Sequence, residues 1–140
     1  MRNHNLRPQI TVALSEHRQL LAMAAAGTSP GAESLLDEME RANVVQDDKL
    51  NSDVVRMGSR VQYRTDEGSA KDVTLVYPVA ADISLGRVSV LTPVGAALIG
   101  LRTGQSTAWR SRGGKKNVLT VLSVDREPMF RIESEMPRGA

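Results

Sequence analysis

The run Arg87-Val88-Ser89-Val90-Leu91-Thr92-Pro93-Val94-Gly95-Ala96-Ala97-Leu98-Ile99-Gly100-Leu101-Arg102-Thr103-Gly104 limits what this chain can become more than any other stretch. Its first residues predict a strand, because Val88 and Val90 alternate with Ser89 as on a half-buried pleat. Thr92 then suits a helix N-cap, since its hydroxyl can accept an orphan backbone N–H of the first turn. Pro93 suits the first helical position, where its missing N–H costs nothing. Val94, Ala97, Leu98 and Leu101 recur at helical spacing and predict one buried face. Gly95 and Gly100 each cost roughly 1 kcal/mol against Ala inside a helix. That cost implies a neighbouring backbone packed close or, for Gly100, a place near the helix end. Gly104 supplies the stop or turn that follows.

Upstream, Ile10 and Val12 begin a brief extended segment. A helix is predicted from Ser15 to Ala26, with Ser15 as cap, Glu16 at the positive dipole end and Gly27 as stop. Thr28-Ser29-Pro30-Gly31 reads as a turn, and Ser29-Pro30 opens a second helix over about residues 31–42. Leu35, Met39 and Ala42 share a face of it, with Leu36 beside them. Two helices joined by a short turn predict an antiparallel helical hairpin. Downstream, Val61–Thr65 and Asp72–Tyr77 form a strand pair around Asp66-Glu67-Gly68-Ser69, closed by Pro78. Ser106–Arg110 and Val118–Val124 pair around the loop Ser111–Lys116. Val118, Thr120, Leu122 and Val124 make one face of the last strand, Leu119 and Val121 the other. This element order predicts an α+β fold, a twisted antiparallel sheet packed on one short helix.

Composition narrows the function classes. Apolar residues make up 41% and aromatics 3%, so the core is built from Val, Leu, Ile and Ala. With no cysteine, disulfides, thiol catalysis and cysteine zinc sites are excluded. No apolar run approaches the roughly 18 residues of a membrane span, and Met1–Pro8 lacks the apolar core of a signal peptide. The expected location is the cytoplasm. Residues 1–53 hold 5 basic and 8 acidic side chains, and residues 54–132 hold 12 and 6. A basic body behind an acidic front suits contact with nucleic acid or an acidic protein face, but a solvated surface is the commoner origin of an imbalance this small. His4 and His17 have no Ser or carboxylate partner set by sequence and read as structural. Asp47, Asp48 and Asp53 lie in the polar connector Gln46–Asp53, whose spacing matches no calcium loop. Neither catalytic residues, a metal site nor a cofactor is expected.

The run Val88–Leu101 resembles the signature of the C-terminal domain of the Gre transcription elongation factors. It resembles still more the Rnk family, regulators of nucleoside diphosphate kinase, which carries a Gre-type C-terminal domain. Asp53-Val54-Val55-Arg56-Met57-Gly58-Ser59-Arg60-Val61, Thr74-Leu75-Val76-Tyr77-Pro78 and Gly104-Gln105-Ser106-Thr107-Ala108-Trp109 agree in family order, from about residue 53 to 127. The resemblance implies an FKBP-like body at 54–128 behind a short arm at 1–45, a linker at 46–53 and a polar tail at 129–140. Gre factors carry acidic residues at the tip of a long coiled coil. The corresponding tip here, Gly27–Gly31, has no carboxylate, and the Rnk family is similar in having a shortened arm.

The resemblance further implies a non-enzymatic transcription regulator, monomeric or a weak homodimer, that binds RNA polymerase at the rim of its secondary channel and competes with Gre factors there. The matching contact residues are Leu91, Thr92 and Pro93. Thr92 stands where Gre factors usually have Ser, and Leu91 where a polar residue is common. The family's name also implies an effect on nucleoside diphosphate kinase levels. Two other readings stand beside this one. An FKBP-like fold admits prolyl isomerase or chaperone-like activity, which needs an apolar pocket usually rich in aromatics. This chain has only Tyr63, Tyr77, Trp109 and Phe130. The cations Arg110, Arg112, Lys115 and Lys116 admit an electrostatic or weak nucleic-acid contact, whose affinity falls steeply with salt.

Overall fold

A computed structural model describes residues 8–110 and 115–126. In chain order the elements are β1 (Thr11–Ala13), α1 (Leu14–Ala26), α2 (Pro30–Arg41), β2 (Asn43–Val45), β3 (Ser59–Thr65), β4 (Ala70–Val76), β5 (Arg87–Ser89), α3 (Pro93–Leu98), β6 (Ser106–Arg110) and β7 (Lys116–Arg126). Short 3-10 turns occupy Asp47–Lys49, Pro78–Ala80 and Ile83–Leu85. The result is a mixed α+β fold. Its main sheet has the strand order β5-β4-β3-β7-β6, and β1 and β2 form a small parallel pair.

Alternation builds the centre of the sheet: Val61 and Tyr63 of β3 are buried while Arg60, Gln62 and Arg64 face water. β3 pairs antiparallel with both β4 and β7. Two features depart from the expected sheet. β5 runs parallel to β4, with Thr74 opposite Arg87 and Val76 opposite Ser89, so the sheet is mixed at this edge. The cause is the crossover 77–86, which carries the chain back alongside Thr74 before β5 begins. The second departure is a bulge. Gln62 pairs with Ser123 and Tyr63 with Val121, leaving Leu122 as the extra residue. The bulge breaks the alternation read along β7, so Val124 packs against the same core that buries Leu119 and Val121.

The helices begin by different means. α2 follows expectation: Ser29 is the N-cap, its hydroxyl accepting from Ala32 N–H at 3.1 Å, with Pro30 in first place. α1 begins one residue before Ser15, with Ala13 at the cap position and no side-chain cap. Asp47 does that work from a distance, its Oδ1 accepting the Ser15 N–H at 3.1 Å and its Oδ2 the Ser15 hydroxyl at 2.5 Å. The connector is partly anchored in other ways. Leu50 is buried, and Asp53 pairs with Arg102 at 3.6 Å.

α1 and α2 pack on one another, and α2 packs on α3. Leu20, Leu35 and Met39 of the helices belong to one apolar cluster with Val61, Leu75, Leu98, Leu101, Leu119 and Val121 of the body. The helical pair is therefore fastened to the body. Ile10 seats against Gly100, where a Cβ would lie 2.7 Å from the Ile10 Cβ. Thr11 N–H donates to the Gly100 carbonyl at 3.2 Å. Glu16 accepts from Arg56 Nε at 2.9 Å and from Met57 N–H at 3.2 Å in a mostly buried ion pair. His17 is half-buried, with Nε2 2.9 Å from the Met39 carbonyl. His4 and the segment 129–140 lie outside the described residues.

Candidate functional site

The turn between β5 and α3 is held by a closed set of hydrogen bonds. Ser89 Oγ accepts from Leu91 N–H at 3.0 Å, and the Ser89 carbonyl accepts from Thr92 N–H at 3.1 Å. The Thr92 hydroxyl donates to that same carbonyl at 2.7 Å and accepts from Gly95 N–H at 3.1 Å. Gly95 is required here, because a Cβ on it would lie 2.2 Å from the Ser89 carbonyl oxygen. That contact is the close backbone packing its helical cost implied. α3 itself is shorter than the apolar spacing predicted. It ends at Leu98, Ile99 is extended and Gly100 takes a positive φ of 84°, so Leu101 enters the core from outside the helix.

The three expected contact residues therefore sit together on a preformed turn, each half-buried. Because the Thr92 hydroxyl already donates and accepts within the turn, what Leu91, Thr92 and Pro93 retain for a partner is mainly apolar: an isobutyl group, a methyl and a pyrrolidine ring.

A neighbour of this turn is remote from it in sequence. Gly31, at the start of α2, packs on the Leu91–Thr92 backbone so closely that a Cβ would lie 1.8 Å from the Leu91 carbonyl oxygen. The turn that joins α1 to α2 thus lies level with the Leu91–Pro93 turn, and the exposed residues Thr28, Ser29 and Pro30 adjoin it. Gly31 after a proline reads locally as a turn residue, and nothing local signals this long-range role. On the other side, a cavity of about 190 Å³ separates α2, α3 and β6. Its walls include Asp37 and Glu38 from α2, Pro93 and Ala97 from α3, and Trp109 from β6. It has one aromatic wall, and Glu38 is ion-paired with Arg41 at 2.6 Å. Trp109 Nε1 is buried without an acceptor among the described residues.

The candidate cations are only partly described. The strand register sets Arg110 opposite Lys116, while Arg112 lies outside the described residues. Lys115 and Lys116 are exposed, and Lys115 Nζ is 3.3 Å from Glu67 Oε2. Of the connector carboxylates, Asp47 is engaged by Ser15 and Asp53 by Arg102. The hydroxyl and N–H of Ser15 hold the Asp47 carboxyl below its ordinary value of 3.8. No helix among the described residues is long and apolar enough to cross a membrane.

The family described as "Transcription elongation factor, GreA/GreB, C-term" matches residues 50–126, which include the turn and α3. The chain belongs to the GreA/GreB C-terminal family. Within that relationship it is 40% identical over 110 residues to the "Regulator of nucleoside diphosphate kinase" of Escherichia coli (strain K12), covering 78% of this chain and 81% of that protein. It is also 40% identical over 84 residues to the "Transcription elongation factor GreA" of Rhodospirillum rubrum, covering 59% of this chain and 53% of that one. The match thus spans about half of that GreA protein. A solved structure, "Prokaryotic transcription elongation factor GreA/GreB from Nitrosomonas europaea", superposes with a TM-score of 0.68 at 32% identity, covering 85% of this chain and 99% of that one. The family match lies within residues 50–126, and the solved-structure match extends to 85% of the chain.

Proposed function

We propose that the chain is a non-catalytic regulator of transcription that binds bacterial RNA polymerase at the rim of the secondary channel through Leu91, Thr92 and Pro93. In this reading α1 and α2 form the antiparallel hairpin that corresponds to the Gre arm, and the FKBP-like body carries the contact. The arm, linker, body and tail are residues 1–45, 46–53, 54–128 and 129–140. The protein acts in the cytoplasm, as a monomer or weak homodimer.

The observation that carries the reading is the seat of Gly31 on the Leu91 carbonyl. It makes the helical pair end level with the contact turn. A chain docked by that turn brings its arm no further than the contact itself, since the 13 residues of α1 span only about 20 Å. Occupancy of the rim without reach to the catalytic centre is competition with Gre factors, without their cleavage chemistry. An influence on nucleoside diphosphate kinase, which the name of the Escherichia coli relative states for that protein, would follow at the level of transcription.

The test is capture of purified polymerase by tagged protein, with and without a Gre factor, for the wild type and for Thr92→Glu/Pro93→Ala. Capture that the Gre factor displaces and the double variant loses is the expected result. Losing the Thr92 cap costs about 1 kcal/mol, so circular dichroism must show the variant folded. Failure of the intact wild type to capture polymerase at physiological salt would sink the reading.

A further inference from the structure

The crossover Pro78–Gly86 exposes large aliphatic side chains that nothing in the fold requires to be there. Val79 is 95% exposed, Ile83 86% and Leu85 62%. Exposed aliphatics on a mobile loop would mean little, but this loop is braced throughout. Ala80 N–H donates to the Tyr77 carbonyl at 2.9 Å and Ala81 N–H to that of Pro78 at 3.1 Å. Asp82 and Arg87 exchange both backbone hydrogen bonds at 2.9 Å. Asp82 Oδ1 accepts from the N–H and hydroxyl of Ser84 at 3.0 and 2.6 Å. Leu85 N–H donates to the Asp82 carbonyl, and Gly86 N–H to that of Ile83, each at 3.0 Å. These bonds fix the loop backbone with its side chains outward, so the backbone's ordering cost is met before any partner arrives.

The Val79 end of the loop adjoins the contact turn, while Ile83 and Leu85 follow Asp82, which pairs with Arg87 at the start of β5. Val90 N–H donates to the Val76 carbonyl at 2.9 Å, which places the exits of β4 and β5 side by side. From one exit the chain reaches Val79 in three residues, and from the other it reaches Leu91, Thr92 and Pro93 in one to three. Both segments offer mainly apolar groups.

We infer that Val79, Ile83 and Leu85 are apolar anchors of the same contact, and that the polymerase element gripping Leu91–Pro93 presents an apolar stripe that runs on past Val79 and along β5 to Ile83 and Leu85 near Arg87. This rests on the polymerase reading above and adds the chemistry of the partner face. Buried aliphatic anchors beside a helix-start turn give an affinity that depends little on salt, unlike a phosphate or cation contact.

The experiment measures the dissociation constant for purified polymerase with three proteins: wild type, Thr92→Glu/Pro93→Ala and Val79→Asp/Ile83→Asp. Sedimentation of each protein alone is measured in parallel. The loop variant should bind at least about tenfold more weakly, with an unchanged melting temperature and sedimentation coefficient. Val79→Ser/Ile83→Ser replaces it should the aspartates disturb the loop. Wild-type affinity in the loop variant, with loss in the turn variant, would overturn the inference and leave the rim reading standing. Loss of self-association with unchanged polymerase affinity would also overturn it, making a second copy the occupant. Absence of wild-type binding would overturn both.

Discussion

Leu35 and Met39 on α2 are at most 1% exposed, whereas Val79 and Ile83 on the crossover loop are almost fully so. Both regions are apolar and both are ordered, yet by different means. The seam between the helical pair and the body is made by side chains: Leu20, Leu35 and Met39 in the shared core, Ile10 against Gly100, and Glu16 on Arg56. The loop is made by its backbone and by Asp82, with its large side chains left in water. The contrast separates two uses of apolar surface. One holds the helical pair level with the Leu91–Pro93 turn and belongs to stability; the other contributes little to stability and is available to a partner.

The strongest way to break the seam is Gly31→Val. A branched side chain cannot share space with the Leu91 carbonyl, so α2 must shift off the body. A loss of about 3 kcal/mol is expected, read by thermal melting and by faster hydrogen exchange across residues 30–41. An unchanged melt would show that the seam tolerates the bulk. Glu16→Gln is next. It leaves the Arg56 charge mostly buried without its counter-ion, for a loss of about 2 kcal/mol in denaturant titration, discounted from a fully buried pair. A double-mutant cycle with Arg56→Gln should recover part of that loss. Val79→Ser/Ile83→Ser sharpens the other side of the comparison. Stability should stay within about 0.5 kcal/mol of wild type, and a larger loss would mean that the loop packs on the body after all.

The smallest effect is that of pH on the start of α1. The Asp47 carboxyl is lowered in the folded state, first by the Ser15 hydroxyl and then by the Ser15 N–H. Its contribution is therefore fully present above its unfolded value of 3.8 and is lost as pH falls through the lower folded value. A titration of the Asp47 carboxyl and Ser15 amide signals by NMR should show one shared midpoint below 3.8. Separate midpoints would contradict the contact.

Features decided by near neighbours were legible in the sequence. Ser29-Pro30 and Thr92-Pro93 cap and start their helices as read, because a cap needs only the next three residues. Ser15 did not cap α1, because Asp47, remote in sequence, was the better partner for the first turn. The direction of β5 was hidden as well. Residues 77–86 show no period, and their path depends on the pairing of Asp82 with Arg87. The bulge at Leu122 likewise depends on register with β3 rather than on β7 itself. At the candidate site, Leu91, Thr92 and Pro93 stood out as a turn. The seat of Gly31 and the outward set of Val79, Ile83 and Leu85 required the fold.

A photo-reactive side chain placed at position 93, with a second protein carrying it at position 116 for comparison, tests the contact surface most directly. Irradiated with polymerase, the position-93 protein should cross-link to the polymerase element at the secondary-channel rim, and excess Gre factor should abolish the product. Cross-links from position 116 but none from position 93 would contradict the account and move the contact to the cation-rich β6–β7 turn.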